Sequence, residues 1–213
     1  SKVLLIYGIS GTGKSSLIEC GLANKFEDSD WLPVNVRRGS GIVQSLWNQL
    51  SQYDSNSMAN SESAVGSMKS SMANGQWPIA SKTNDSKSLA KQILKKLQSV
   101  YLDHFKPIYL IFDQFEELFI FGSNEERQEF ISIIKAIRDS DVQCKILFSI
   151  REEYLANITE FEREIPEIMQ NRMRVEKMSR SNALEVVTGP CKVYGIELEE
   201  GFSEALLNRL VGE

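Results

Sequence analysis

Short apolar runs alternate along this chain with longer segments whose apolar residues recur at helical spacing. The runs predict strands, and the spaced segments predict helices. Strands are expected at 3–7, 31–36, 108–112, 145–150 and 172–176, and helices at 14–24, 42–53, 87–101, from 124 onward, 181–188 and 202–211. Asn124 is the predicted N-cap of the helix that begins there, and its buried side is expected to carry Phe130, Ile134 and Ile137. Because strands and helices alternate and the runs suit strands buried on both faces, the pattern predicts an α/β fold with a doubly wound parallel sheet. Ligands of such sheets bind at the carboxyl ends of the strands.

The segment 51–88 interrupts this pattern. It is rich in serine, contains few large apolar residues and carries the string Ser-Met-Ala-Asn twice, at 57–60 and 71–74. We therefore expect a mobile surface insertion. The predicted domains are a core at 1–178 and, at 179–213, the truncated beginning of a helical lid, with Gly189-Pro190 between its two helices. Because the first strand begins at once, we expect the chain to be an excised fragment.

A glycine-rich turn joins the first strand to the first helix. Its residues fit the pattern G-x-x-x-x-G-K-S of a P-loop, or Walker A motif. In such a loop the backbone N–H groups and the helix N-terminus face a polyphosphate, Lys14 reaches the β- and γ-phosphates, and Ser15 binds Mg²⁺. The nucleotide-binding residues predicted here are Gly8, Ser10, Gly11, Thr12, Gly13, Lys14, Ser15 and Ser16.

A second group of polar residues follows the strand 108–112. Asp113 stands where a P-loop protein needs a Walker B carboxylate for Mg²⁺. Gln114 occupies the place where many such ATPases carry the catalytic base, and an amide cannot accept the proton of a water. Glu116 and Glu117 are therefore the candidate bases; the alternative is that both stabilise the start of a helix through its dipole.

Arg151 follows directly after the strand 145–150. From that position a guanidinium could contact the γ-phosphate of a bound nucleotide and respond to its presence. The alternative is a surface ion pair with Glu152 or Glu153, and the spacing alone does not decide between the two.

Composition narrows the classes of partner. The net charge of −5 provides no global basic field for nucleic acid, and no apolar run reaches the length of a membrane span. Cys20, Cys144 and Cys191 lack metal-ligand spacing and are expected to be reduced thiols of a cytoplasmic protein. His104 is expected to be structural. We therefore predict neither a nucleic-acid nor a membrane partner.

Taken together, these motifs resemble the STAND NTPases, a family of signal-transduction ATPases, and in particular the bacterial novel STAND group. The resemblance rests on the P-loop with the following Gly21-Leu22 and on the complete string Asp-Gln-Phe-Glu-Glu-Leu-Phe at 113–119. Further similarities are Arg37-Arg38-Gly39 after the second strand, Arg151-Glu152-Glu153-Tyr154 after the fourth, and Gly189-Pro190.

The resemblance implies a five-stranded sheet of order 2-3-4-1-5, ATP or ADP with Mg²⁺ as cofactors, and Arg151 as a sensor arginine. It also implies that Pro190 lies near the adenine base of the nucleotide, although relatives carry Gly-x-Pro where this chain has Thr-Gly-Pro. Effector and sensor domains of the same full-length protein, and a homo-oligomer in the ATP state, are the expected partners.

The leading hypothesis is a molecular switch of a signalling or defence ATPase, in which slow Mg²⁺-dependent ATP hydrolysis is coupled to conformational change and oligomerisation. The alternative is a structural module that binds nucleotide without hydrolysing it, which Gln114 makes credible. A P-loop kinase is less favoured, since no arginine-rich lid is evident. The guanine-specific string Asn-Lys-x-Asp does not follow a late strand, and no Leu-Ser-Gly-Gly-Gln string indicates an ABC ATPase.

Overall fold

The computed structural model describes residues 1–27, 29–53 and 86–211. Most of the predicted mobile insertion, 54–85, lies outside these residues. The two ends of that insertion are helical, which differs from the prediction, because residues 51–52 continue one helix and residues 86–88 begin the next.

Five strands form one parallel sheet in the order β2-β3-β4-β1-β5. The strands are β1 (Val3–Gly8), β2 (Leu32–Val36), β3 (Ile108–Phe112), β4 (Cys144–Arg151) and β5 (Arg172–Arg174). This order and the α/β class confirm the predicted fold. The fifth strand ends earlier than predicted, although the N–H of Val175 still donates to the carbonyl oxygen of Tyr7 at 2.7 Å.

The strand register aligns the carboxyl ends of β1, β2, β3 and β4. Gly8 of β1 lies beside Arg151 of β4, and Val36 of β2 lies beside Phe112 of β3. Phe112 in turn lies beside Phe148. The residues that follow these ends therefore meet at one edge of the sheet, where parallel α/β proteins bind their ligands.

The segment after the P-loop is helical but irregular. It is an α-helix at Lys14–Ser16 (α1), a π-helix at Leu17–Leu22 and a 3₁₀ turn at Ala23–Lys25. The other helices in the described part of the core are α2 (Ile42–Gln52), α3 (Ser86–His104), α4 (Glu117–Phe121), α5 (Asn124–Asp139), α6 (Thr159–Glu164) and α7 (Glu167–Gln170), with a 3₁₀ segment at Glu152–Ile158.

The N-terminus of α5 differs from the prediction by one residue. Ser123, not Asn124, caps the helix, since its hydroxyl oxygen accepts the N–H of Glu126 at 3.2 Å. Ser123 has extended backbone geometry, which an N-cap residue requires, whereas Asn124 is already helical. The buried side of α5 carries Phe130, Ile134 and Ile137, as the periodicity predicts.

Alternation along the strands divides the buried residues between the two faces of the sheet. Leu110 and Phe112 of β3 belong to a large core cluster with residues of α2, α3 and α5. Ile111, between them, belongs to a smaller cluster with Ile18 of the π-helix and Trp31. Both faces are covered, which explains why these strands read as continuous apolar runs.

Residues 176–213 form a second compact unit, separate from the unit at 1–175. Its described helices are α8 (Arg180–Val193) and α9 (Phe202–Val211). Gly189 and Pro190 lie inside α8, so the prediction that they separate two helices was wrong; the helix continues to Val193 through Pro190. No helix in the described parts of the chain is both long and apolar enough to cross a membrane.

Candidate functional site

The P-loop begins at the last residue of β1 and follows a path that requires glycine. Gly11 and Gly13 have φ of 79° and 83°, in the left-handed region that disfavours side chains. Gly8 is required for a different reason, since a Cβ there would lie 2.3 Å from the carbonyl oxygen of Val175. Gly13 directly precedes α1, so the turn delivers the chain into a helix N-terminus that faces the loop.

Lys14 is held against the loop itself. Its Nζ donates to the carbonyl oxygens of Gly8 and Ile9, both at 2.9 Å. Partial burial lowers the pKa of Lys14 below its usual value; the nearby Glu116, Glu153 and Asp113 oppose this shift. A phosphate group arriving in the loop would offer the ammonium a charged acceptor in place of two neutral carbonyls.

Asp113 meets residues from two other strand ends. Both of its carboxylate oxygens accept the hydroxyl of Ser15, at 3.0 and 3.1 Å. One of the same oxygens, Oδ2, accepts Nη2 of Arg37 at 2.9 Å. The Asp113 carboxylate is largely buried, whereas the Arg37 side chain is 56 % exposed. This contact from Arg37 was not anticipated from the sequence, although Arg37 directly follows β2 and β2 pairs with the strand before Asp113.

Gln114 turns the chain so that the carboxylates on either side of it reach the same place. Its φ of 55° lies in the left-handed region, which is rare for a residue other than glycine. The next residue, Phe115, donates its N–H to the carbonyl oxygen of Ser149 and places its ring in the core. As a result, Asp113 and Glu116 both line the cavity above the P-loop.

Glu116 is buried and paired with Arg151 through two bonds. Its Oε1 lies 2.9 Å from Nε of Arg151, and its Oε2 accepts the backbone N–H of Arg151 at 3.2 Å. The ion pair suggested by spacing, with Glu152 or Glu153, is not the one observed, because Glu152 contacts Arg174 instead. The Arg151 side chain remains 48 % exposed, which leaves part of its guanidinium accessible from the cavity.

A cavity of about 350 Å³ brings most of the predicted site residues together. Its lining residues are Ser10, Gly11, Gly13, Lys14, Ser15, Ser16, Asp113, Gln114, Glu116, Ser149 and Arg151. Gly8 and Thr12 belong to the P-loop but do not line this cavity, and the Thr12 hydroxyl donates to the carbonyl oxygen of Ile9. Glu117 opens α4 and does not line this cavity. Pro190 belongs to the second unit, so its proposed place near the base stays a prediction.

A second polar cavity, of about 400 Å³, has Asp113 as a wall in common with the first. It lies against the side chains that follow β2 and those of α2 and the π-helix. Its lining residues are Glu19, Asn35, Arg37, Ser45, Asn48, Gln49 and Asp113. Arg37 therefore stands between the Asp113 carboxylate and this second cavity.

The family comparison agrees with the geometry of the site. The model of the Novel STAND NTPase 1 family matches residues 1–213. The chain belongs to that family. It is therefore an NTPase domain, and the family resemblance that the motifs at 8–16 and 113–119 suggest is confirmed. No protein of curated function matches the chain.

Solved structures show the same fold at low sequence identity. The ORC2 protein of Aeropyrum pernix, in a structure described as ADPNP–ADP complexes, has a TM-score of 0.52 and 14 % identity over 94 % of this chain. Its ADP form has a TM-score of 0.52 and 12 % identity over 91 %. Cdc6p from Pyrobaculum aerophilum is a weaker match, with a TM-score of 0.47, 11 % identity and 90 % coverage, and it does not contribute to the fold assignment. This chain covers 47 %, 47 % and 43 % of these structures, less than half of each.

The residues present fit a nucleotide and a magnesium ion. The loop at 8–16 leaves open space in front of Gly11 and Gly13, where an added Cβ would meet no atom within 4 Å. Ser15 and Asp113 converge to bring a hydroxyl and a carboxylate together beside it. Among the described residues there is no cluster of three or more His, Cys, Asp or Glu side chains for a metal. The hydroxyl of Ser15 and the carboxylate of Asp113 suit Mg²⁺, which typically takes one or two protein oxygens together with phosphates and waters.

Proposed function

We propose that this domain is an ATP- and ADP-binding switch with slow Mg²⁺-dependent ATP hydrolysis. The observation that carries the proposal is the pairing of buried Glu116 with Arg151 in the wall of the cavity that also contains Lys14 and Ser15. A carboxylate placed there can accept a proton, and an arginine placed there can contact a phosphate.

Nucleotide binding is the task of the loop and its lysine. The N–H groups around Gly11 and Gly13 and the N-terminus of α1 would hold the β-phosphate, and Lys14 would exchange its two carbonyl partners for phosphate oxygens. Ser15 and Asp113 would hold Mg²⁺, which neutralises charge on the phosphates when it is bound. The choice of adenine over guanine as the nucleotide base rests on the family resemblance.

Hydrolysis and switching share the Glu116–Arg151 pair. A γ-phosphate within reach of the exposed part of Arg151 would compete with Glu116 for the guanidinium. Glu116, no longer bound to that side chain, can then orient a water and accept its proton. In the ADP state the pair stays closed, so the γ-phosphate biases the protein between two arrangements of the same residues.

The expected biology follows the family resemblance. In this proposal the ATP state opens and forms a homo-oligomer, and effector and sensor domains of the full-length protein give the switch its trigger and output in a cytoplasmic signalling or defence response. Because a structure of the same fold is described as ADPNP–ADP complexes, both nucleotide forms are worth testing here.

A second candidate is a module that binds nucleotide but does not hydrolyse it. Gln114 favours it, since this residue stands directly after Asp113 and lines the cavity with an amide where a base is common. The chemical difference between the two candidates is whether Glu116 acts on water.

Binding is tested first, by identifying the nucleotide that co-purifies with the protein and by calorimetric titration with ADP and ATP. We expect stoichiometric ADP in the purified protein. Lys14→Ala should lose at least a hundredfold in affinity, while the control Lys25→Ala, at an exposed lysine after the π-helix, should bind normally. Micromolar affinity retained by Lys14→Ala would refute the P-loop assignment.

Hydrolysis is tested by single-turnover measurements with Glu116→Gln. We expect this variant to load ATP and to clear it at least a hundredfold more slowly than the unmodified protein. Glu117→Gln is the matched control, since Glu117 does not line the cavity, and it should turn over at the normal rate. Equal, near-zero turnover in all three proteins would favour the non-hydrolysing module.

A further inference from the structure

We propose that Arg37 competes with the divalent cation for Asp113 and thereby sets the affinity of the magnesium site. The inference deepens the proposed function, on whose magnesium site it rests. It gives a role to a residue outside the P-loop and outside the string at 113–119.

The geometry of the Asp113 carboxylate carries the argument. Its Oδ2 accepts two donors, the Ser15 hydroxyl at 3.1 Å and Nη2 of Arg37 at 2.9 Å. A cation coordinated by Asp113 and Ser15 would sit beside the guanidinium, which already neutralises that carboxylate. Two positive groups cannot share the carboxylate without mutual repulsion in a largely buried position. Cation binding therefore requires Arg37 to withdraw.

The second cavity gives Arg37 a place to withdraw to. The side chain is 56 % exposed and lines this cavity together with Asn35, Asn48 and Glu19. The amide oxygens and the Glu19 carboxylate can accept its N–H groups once Asp113 is taken by the cation. Withdrawal thus exchanges one set of acceptors for another, and it does not require the backbone of β2 to move.

The neighbouring Arg38 shows why the movement is confined to Arg37. Arg38 is mostly buried and pairs with Glu126 at 2.7 Å. The other oxygen of Glu126 accepts the N–H of Ile42, the first residue of α2. This pair ties the loop after β2 to α5, so the loop stays in place while the half-exposed Arg37 side chain exchanges partners.

Removing Arg37 should strengthen cation binding, because the competitor is gone. We expect Arg37→Ala, saturated with ADP, to bind Mn²⁺ about tenfold more tightly than the unmodified protein, a coupling of ordinary size between two ligands of one group. Binding is measured from the free Mn²⁺ signal in electron paramagnetic resonance. Arg37→Gln, which keeps a hydrogen-bond donor but no charge, should behave like Arg37→Ala.

The control is Arg172→Ala, which removes another exposed arginine, at the start of β5 beside Leu5, outside both cavities that Asp113 lines. Its Mn²⁺ affinity should be unchanged. Mn²⁺ affinity that is unchanged or weaker in both Arg37 variants would overturn the inference, since Arg37 would then be neutral toward the cation or would support its site.

Thermal unfolding supplies a second readout that does not depend on a tightly bound cation. In the presence of EDTA, Arg37→Ala should melt at a lower temperature, because Asp113 loses its positive partner; ADP with Mg²⁺ should close that gap. A gap that persists would contradict the exchange.

The failure of this inference can be distinguished from the failure of the proposed function. If the Arg37 variants do not bind Mn²⁺ more tightly but the unmodified protein binds ADP normally in EDTA, the proposed function stands. If the unmodified protein does not bind ADP, both are overturned.

Discussion

The pairing of Glu116 with Arg151 makes the sharpest prediction, because the two residues are brought together only by the fold. Replacing Arg151 by alanine removes the contact between Nε and Oε1 at 2.9 Å but keeps the backbone N–H of residue 151 on Oε2 at 3.2 Å. The carboxylate is then left in a buried position with one of its two partners. We expect Arg151→Ala to destabilise the core unit and to weaken ATP binding more than ADP binding.

The size of the stability effect follows from the burial of the two partners. Breaking a fully buried pair costs about 3–5 kcal/mol, whereas exposed pairs contribute only about 0.2–1 kcal/mol. Glu116 is 5 % exposed and Arg151 is 48 % exposed. Because solvent screens one side of this pair, we expect an intermediate coupling of about 1–2 kcal/mol between the two side chains.

A double-mutant cycle isolates that coupling from other effects of each substitution. The four proteins are the unmodified chain, Arg151→Ala, Glu116→Gln and the double variant. Urea unfolding is followed by tryptophan fluorescence, to which Trp31 and Trp47 contribute from the unit at 1–175. In the Glu116→Gln background no buried charge is left unpaired, so Arg151→Ala should cost little there.

Two outcomes would refute this reasoning. A coupling free energy within about 0.3 kcal/mol of zero, which is the ordinary error of additivity, would mean that the pair contributes nothing to the fold. Equal losses of ATP and ADP affinity in Arg151→Ala would mean that Arg151 does not respond to the γ-phosphate. Either result would remove the link between the phosphate and the proposed base.

Two further predictions concern α5. Ser123→Ala should destabilise the protein by about 1 kcal/mol in urea unfolding, since it removes the acceptor of the Glu126 N–H, while Asn124→Ala should cost clearly less. A larger loss of stability from Asn124→Ala would mean that Asn124, the residue predicted from the sequence, caps the helix. Burial, and secondarily Glu126, raises the pKa of Glu129, so the folded protein binds more protons there than the unfolded chain. Stability should therefore fall as pH rises through the window above the usual glutamate pKa, and Glu129→Gln should raise the melting temperature at pH 7 but not at pH 3; an equal effect at both would refute the assignment.

Much of the fold could be predicted from the sequence because it is encoded locally. The apolar run at 108–112 and the glycine pattern at 8–16 each specify a short stretch of backbone, and the alternation of strands and helices specifies a parallel sheet. The errors fell where local signals compete. Ser123 and Asn124 are both good cap residues, and only their backbone geometry decides between them. Pro190 reads as a helix breaker, yet α8 continues past it to Val193.

The candidate site divides in the same way. Sequence by itself determined which residue types stand at the carboxyl ends of β1, β3 and β4, and therefore the lysine, the carboxylates and the arginine available to a nucleotide. It did not determine how these side chains pair. The contact of Arg37 with Asp113 and that of Arg151 with Glu116 join segments far apart along the chain, and the left-handed turn at Gln114 brings the two carboxylates to one cavity. Such contacts depend on the register between strands and on the burial of each carboxylate, and only the tertiary structure sets these.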